Sequence, residues 1–363
     1  MDRNQTRIIK VGNVLIGGGN PISVQTMTKS STADVEQTIY QIEQAADYGC
    51  DIIRVAVPDV DAAESLKDIV KKSPIPLVAD IHFNYRLAIM ALESGVQKIR
   101  LNPGNLKDKD AVKTVAELAK KLNVPIRIGV NGGSIGNTCN VTRSDEFSEK
   151  ERYSNEIIKA AEYHINLLKE IDFENIIVSL KSSDITSTID ANVLFSKKYD
   201  FPLHIGLTEA GCPPTGLIKS TIAISEILKL GIGDTVRVSL TADPAEEVVA
   251  GIEMLKSLKL RFGGINYISC PTCGRCDVEL MSVIGNIKKG LFPLHKKLEK
   301  EQKEITIAIM GCEVNGPGEA ANADYGVACG KNGAIIFSHG EKKNKVTEKE
   351  ITRKLIEIIS YSW

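Results

Sequence analysis

The chain has 363 residues, 43% hydrophobic and 25% charged, with a formal net charge of −1. The near-zero charge and only 5% aromatic residues argue against a nucleic-acid binder or an anionic-membrane binder. No apolar run approaches the roughly 20 residues that span a bilayer, and the polar start MDRNQTRIIKVGN lacks a signal-peptide core, so a cytoplasmic location is expected.

In chain order, TRIIKVGNVLIGGGN (6–20) predicts a hairpin turning at Gly12-Asn13, placed to plug the bottom of the domain that follows. Its GGGN is read as a turn, because a strand and not a helix comes next. From residue 20 to about 255, short apolar runs alternate with amphipathic stretches. The runs are PISVQTMT (21–28), DIIRVAV (51–57), IPLVAD (75–80), QKIRLN (97–102), PIRIGV (125–130), NIIVSL (175–180), PLHIGL (202–207) and DTVRVSL (234–240). They suit buried parallel strands. The helical patterns between and after them cover 34–49, 61–72, 85–95, 109–123, 151–171, 184–199, 215–231 and 243–258, the sixth diluted by Ser and Thr. Eight strands and eight helices in strict alternation predict a (β/α)8 TIM barrel rather than an open doubly wound sheet.

After residue 258 the alternation stops. GINYIS, ITIAIMGC, YGVACG and GAIIFSHG read as strands, DVELMSVIGNIKKGL and PLHKKLEKEQKE as helices, and TEKEITRKLIEIISYSW as a closing helix. The expected domains are therefore a barrel over 1–258 and a smaller α+β domain over 259–363.

In a TIM barrel the side chains at the C-terminal strand ends face the active site. Those ends supply Arg54, Asp80, His82, Arg100, Asn102, Arg127, Asn131, Lys181, His204, Glu209, Arg237 and Ser239. An arginine inside an apolar strand is costly unless it is paired. Four strands carry one and a fifth ends on Lys181, which predicts a shared anionic ligand, best a diphosphate, since a guanidinium fork can bond two phosphate oxygens at once. The competing reading is that these cations pair with Asp80, Glu209 or other barrel carboxylates. His164 falls in a helical pattern and is read as an ordinary surface or core residue, His295 and His339 have no metal-ligand spacing, and neither His82 nor His204 has a second histidine at i+4, so a barrel zinc site is not expected.

The eight cysteines are expected to be reduced, buried or metal-bound rather than disulfide-linked. Cys50, Cys139 and Cys212 are scattered and are read as small buried residues. Cys270, Cys273 and Cys276 form C-x2-C-x2-C, a strong metal signal, and Cys312 lies in MGCEVNGPGEA beside Glu313 and Glu319. The spacing fits an iron–sulfur site better than a zinc ribbon. It leaves open a closed four-cysteine relay cluster and a three-cysteine cluster with one oxygen-ligated iron.

CPTCGR and GCEVNGPGEA, behind VQTMT, RVAVP, IRLNPGN, RIGVN, LTEAG and RVSLTADP, resemble the 4-hydroxy-3-methylbut-2-en-1-yl diphosphate synthase family over nearly the whole chain. These are the iron–sulfur enzymes of the methylerythritol phosphate isoprenoid pathway, and the length matches the bacterial two-domain form. The resemblance implies reductive ring opening of 2-C-methyl-D-erythritol 2,4-cyclodiphosphate to 4-hydroxy-3-methylbut-2-enyl diphosphate, with loss of a hydroxyl as water. It implies a 4Fe–4S cluster held by Cys270, Cys273, Cys312 and Glu319, whose unique iron exchanges Glu319 for a substrate oxygen. It makes Arg54, Arg100, Arg127, Lys181 and Arg237 the diphosphate ligands, Asn102, Asn131 and Ser239 neutral hydrogen-bond partners, and Glu209 the proton donor or acceptor. His82 and Asp80 are further candidates for that role at the same mouth, and Asp80, His82 and His204 are expected among the substrate-binding residues. It also implies flavodoxin or ferredoxin as electron donor and a head-to-tail homodimer with shared active sites. Cys276 departs from the family motif and is expected to be spare.

Overall fold

The structure, a computed structural model, describes residues 3–82, 84–101, 109–131, 149–276, 278–312, 322–330 and 333–363, and of 149–152 the backbone only. The chain divides into two compact units, Met1–Arg261 and Phe262–Trp363. Among the described residues no helix is long and apolar enough to cross a membrane.

The first unit opens with the hairpin β1 (Ile9–Val11) and β2 (Val14–Ile16), whose register pairs Val11 with Val14 across the Gly12-Asn13 turn. Gly12 is left-handed there (φ +58), and a side chain would meet Pro76 at 2.9 Å, so only glycine fits. Eight parallel strands follow: β3 (Ser23–Met27), β4 (Ile52–Ala56), β5 (Leu77–Ile81), β6 (Lys98–Leu101), β7 (Ile126–Asn131), β8 (Ile176–Lys181), β9 (His204–Ile205) and β10 (Thr235–Val236). Their order is β8-β7-β6-β5-β4-β3-β10-β9, and a parallel bridge from Val178 to Leu203 brings β8 to the start of β9, so the sheet curls nearly shut. Each strand is followed by a helix: α1 (Val35–Asp47), α2 (Val60–Lys72), α3 (Tyr85–Glu93), α4 (Lys109–Leu122), α5 (Glu149–Lys169), α6 (Ile185–Lys198), α7 (Thr215–Lys229) and α8 (Pro244–Ser257). Asp34, Asp59, Asn84, Asp184 and Asp243 cap five of them by accepting a first-turn backbone N–H.

The period of two in the strands divides their side chains cleanly. Ile53, Val55, Ala79, Ile81, Ile99, Leu101, Ile126, Ile128, Val178 and Leu180 join the core between sheet and helices. The intervening positions point into the barrel. At its N-terminal end Ile52, Val78 and Ile177 pack with Ile9, Val11 and Ile16, so the hairpin plugs the barrel. Above that apolar floor the interior is polar, carrying Gln25, Lys98, Arg100, Arg127, Ser179 and His204 where barrels usually stack branched aliphatic residues.

The second unit is a five-stranded mixed sheet, in order β11 (Gly264–Ser269), β12 (Glu304–Met310), β13 (Tyr325–Gly330), β14 (Gly333–Ser338) and β15 (Glu341–Val346). The first three strands run parallel, and β13–β14 and β14–β15 are antiparallel. Helices α9 (Leu280–Gly290), α10 (Phe292–Glu301) and α11 (Ile351–Ser362) bury Leu280, Ile287, Leu298, Leu355 and Ile359 with Ile307, Val327 and Ile336 of the sheet. The strand β15 was not expected.

Candidate active site

The barrel mouth is built by adjacent strand ends. Asp80 on β5 stands opposite Arg100 on β6, and Arg100 stands opposite Arg127 on β7. Arg100 Nη1 donates to Asp80 Oδ1 (2.9 Å), and Arg100 Nη2 donates to Asn131 Oδ1 (3.2 Å). Arg54 Nε approaches Asp80 Oδ2 at 3.6 Å, and His82 Nε2 lies 3.5 Å from the same oxygen. Burial favours a protonated Asp80, but Arg54 and Arg100 outweigh it and hold the carboxyl well below the usual carboxylate range. Gly129 makes room for this arrangement: a Cβ there would sit 2.7 Å from Arg100 Nε and 3.3 Å from Ser179 Oγ.

Arg237 Nε faces Glu247 Oε2 at 3.5 Å. Glu247 comes from α8, is 1% exposed, and accepts from Thr26 Oγ1 (2.6 Å) and Leu240 N (3.0 Å), with Lys29 Nζ 3.4 Å from its other oxygen. The competing expectation of internal pairing is thus met in part: Arg54 and Arg100 pair with Asp80, and Arg237 pairs with Glu247 rather than Glu209. Glu209 itself is exposed, with left-handed φ (+54), in the loop after β9. That loop is tied to both neighbours, since Thr208 N donates to Ser182 O and Thr241 N to Gly211 O. Ser239 is half-buried beyond β10. His204 lies a tier lower than expected: it is fully buried, opposite Thr235, which in turn pairs with Ser23 at the start of β3. Asn102 lies outside the described residues.

Sequence reading missed Lys98, Gln25 and Glu247. Lys98 stands two residues before Arg100, and so on the same inward face, and is fully buried. Among the described residues, six interior cations, Arg54, Lys98, Arg100, Arg127, Lys181 and Arg237, face two carboxylates, Asp80 and Glu247. Burial, and then neighbouring cations, push Arg127, Lys98 and Lys181 well below their ordinary values. Burial likewise drives Arg54 down to about 9 despite Asp80. A guanidinium keeps its proton in a protein; at the arginines this penalty is relieved by an incoming anion, whereas a lysine can release its proton. Gln25 Nε2, Arg100 Nε, and Arg127 Nε and Nη1 are buried with no partner among the described residues. All are donors, so an anion satisfies them.

In the second unit, parallel pairing of Ser269 with Ile309 delivers Cys270 and Cys312 to the same end of β11 and β12. Gly311 N donates to Cys270 Sγ (3.3 Å), and a Cβ on Gly311 would lie 2.5 Å from Cys276 Sγ and 3.5 Å from Cys270 Sγ. Cys276 N bonds to Cys273 O, closing one turn. Cys312 is buried, Cys270 and Cys276 are half-buried, and Cys273 is exposed, its thiol lowered by the Arg275 backbone N–H and then by the Arg275 side chain. Among the described residues no three His, Cys, Asp or Glu side chains are gathered to hold a single metal ion. A polynuclear cluster spaces its thiolates more widely, and soft donors around a side-chain-free Gly311, with an N–H aimed at sulfur, fit an iron–sulfur group. Glu313 and Glu319 lie outside the described residues. Of the scattered cysteines, Cys50 is buried and its thiol pushed up to about 12 by burial, Cys139 lies outside the described residues, and Cys212, against expectation, is exposed in the loop before α7.

Comparison with known proteins matches residues 6–252 to the GcpE TIM-barrel domain and residues 266–361 to the GcpE protein C-terminal domain. A Clostridium perfringens protein named 4-hydroxy-3-methylbut-2-en-1-yl diphosphate synthase (flavodoxin) is 46% identical over 361 residues, covering 99% of each chain. Its namesake from Thermodesulfovibrio yellowstonii is 47% identical over 359 residues, covering 98% of this chain and 99% of its own. Among solved structures, dihydropteroate synthase from Stenotrophomonas maltophilia superimposes with a TM-score of 0.53 at 13% identity, covering 70% of this chain and 97% of its own. That likeness concerns the barrel fold alone.

Proposed function

The chain belongs to the GcpE family of 4-hydroxy-3-methylbut-2-en-1-yl diphosphate synthases, which are oxidoreductases, and on that premise we propose that it opens 2-C-methyl-D-erythritol 2,4-cyclodiphosphate reductively to 4-hydroxy-3-methylbut-2-enyl diphosphate. The observation that carries the substrate assignment is the excess of buried cations over carboxylates in the barrel, together with buried donors that lack acceptors. A ligand with two phosphate groups supplies the missing negative charge and the missing acceptors.

In this reading Arg100, Arg127 and Lys181 grip the diphosphate, with Arg54 and Arg237 beside them. Asp80 fixes the direction of Arg54 and Arg100, and Glu247 does the same for Arg237. Asn102, Asn131 and Ser239 donate neutral hydrogen bonds. His82 lies within reach of the Asp80–Arg100 pair, and His204 is buried in the barrel interior beside Thr235. Glu209 holds the proton that turns the departing hydroxyl into water, because hydroxide leaves poorly unprotonated. Cys270, Cys273, Cys312 and Glu319 would hold a 4Fe–4S cluster, which would supply the reducing electrons passed on from flavodoxin or ferredoxin. Cys276 faces the same glycine as Cys270, which favours a second reading in which Cys276 replaces Glu319 as the fourth ligand.

The test is anaerobic reconstitution with iron and sulfide, followed by assay of the cyclic diphosphate with reduced flavodoxin. The linear allylic diphosphate is the expected product, and a brown, four-iron protein that binds no cyclic diphosphate refutes the substrate. Retention of four irons in Cys276→Ser supports the Glu319 set, and loss of iron supports the four-cysteine set. The proposal includes a homodimer with shared sites: co-expressed Arg127→Met and Cys270→Ser chains, each inactive alone, then recover roughly a quarter of parental activity, because half of the dimers hold one intact site of two.

A further inference from the structure

Beneath the rim cations lies a second polar tier. Lys98 is fully buried, and among the described residues its one hydrogen bond is to the neutral Gln25 Oε1 at 3.2 Å. Gln25 Nε2 has no partner there. Asp80 is engaged by Arg54, Arg100 and His82, and Glu247 by Arg237, Lys29, Thr26 and Leu240. The charged groups that act on Lys98 are Arg127 on β7 and Arg54 on β4, and the neutral His204 on β9 feels its charge in turn; Arg100 follows two places later on the same strand. A permanent ammonium here carries the desolvation cost of a buried charge and repulsion from Arg127 and Arg54.

We propose that Lys98 is a proton-coupled counter-charge of this barrel: a neutral amine hydrogen-bonded to Gln25 in the absence of an anion, it takes one proton from solvent as the diphosphate enters. The amine becomes an ammonium because the ligand's negative charges offset the positive potential of the neighbouring guanidinium groups, and it gives the proton back when the ligand leaves. Burial and the Arg127 and Arg54 charges push the empty-barrel lysine in this direction. Lys181, at the strand end, touches the ligand directly. Lys98, one tier below, adjusts the charge of the polar interior. This rests on the diphosphate-binding reading above. It deepens that reading by making binding tighter at lower pH.

The experiment is isothermal titration calorimetry of the full-length, cluster-loaded chain with 2-C-methyl-D-erythritol 2,4-cyclodiphosphate, without reductant, in buffers of different ionisation enthalpy. Both phosphates of this ligand are diesters and stay ionised through the neutral range, so the protons counted belong to the protein. The parent should take up protons on binding, with Kd rising by up to about tenfold per pH unit on the alkaline side. Lys98→Met should lose about one proton of that uptake and flatten the pH dependence. Gln25→Glu, which keeps the lysine charged beforehand and retains the fold by circular dichroism, should lose the same proton and bind more weakly. Parental uptake in Gln25→Glu overturns the proposal, whatever Lys98→Met does. Arg127→Met separates the two claims: if it binds like the parent, the diphosphate site itself is misplaced; if it fails to bind while both tier variants keep parental uptake, only the role of Lys98 falls.

Discussion

Arg100 Nη1 lies 2.9 Å from Asp80 Oδ1, and the two residues face each other across paired strands β5 and β6. Asp80 also draws in Arg54 and His82, so one buried carboxylate sets the direction of the cations offered to a ligand. Asp80→Asn leaves two buried guanidinium groups without it, and should destabilise the fold by about 3–5 kcal/mol. The sign with pH follows from the lowered carboxyl. Its stabilisation is complete above the unfolded value of about 4, declines progressively below it and is gone once pH has fallen through the folded one. Denaturant midpoints of parent and Asp80→Asn should therefore stay separated near neutrality and converge only in strong acid.

Arg127 presents the opposite case. It is 2% exposed and, among the described residues, Nε and Nη1 have no acceptor. Replacing a buried, uncompensated charge with an apolar side chain of similar length removes a penalty, as buried ionic groups exchanged for hydrophobic ones often show gains of about 1–4 kcal/mol. Arg127→Met should raise Tm while lowering kcat/KM for the cyclic diphosphate at least 100-fold, a loss of about 3 kcal/mol. A drop in both would make Arg127 a structural residue.

Much of this was readable from the chain because a period of two and a period of 3.6 are hard to confuse. Ile53, Val55, Ala79 and Ile81 alternate with Arg54 and Asp80, and that alternation alone assigns one set to the helix layer and the other to the lumen. The same rule contained Lys98, two places from Arg100, but a lysine opening an apolar run resembles an ordinary solvated strand end. Glu247 was hidden differently: its helix position three residues after Pro244 and four before Gly251 lies on the buried stripe, and a lone acid in an amphipathic helix is usually exposed. Strand β15, EKKNKV, has no apolar alternation, because an edge strand paired on one side with β14 is defined by its partner. Cys212 was misplaced because nothing in a lone cysteine's neighbours reports exposure.

His164 gives a pH dependence outside the active site. It is 6% exposed on α5, its Nε2 has no partner among the described residues, and burial pushes it down to about 4. The unfolded chain binds the proton with a value of about 6.5, so between those values the unfolded state holds more protons and stability falls as pH falls. The loss from neutrality to the acid end should reach about 3 kcal/mol. His164→Phe should flatten that limb of the stability profile, measured by urea unfolding, and leave stability at pH 7.5 nearly unchanged. An unaltered acid limb assigns the decline to other groups.

Gly311 allows the thiols to be tested without deleting one. Its backbone N–H holds Cys270 Sγ, and an added Cβ would press on Cys276 Sγ at 2.5 Å and only touch Cys270 Sγ at 3.5 Å. Real Cβ atoms do not approach sulfur so closely, so in Gly311→Ala either the Cys276 side chain or the backbone of the Cys270 turn must shift. Iron per chain after anaerobic reconstitution, with the visible absorbance of the loaded protein, reads which one moves. If Cys276 is spare, Gly311→Ala should lower iron content, and adding Cys276→Ala should restore it by vacating the space. The two effects are then non-additive, as expected of residues in contact. If Cys276 is a ligand, the double variant should hold less iron than either single one. Rescue therefore supports the Cys270, Cys273, Cys312 and Glu319 set, and a further loss rejects it in favour of four thiolates.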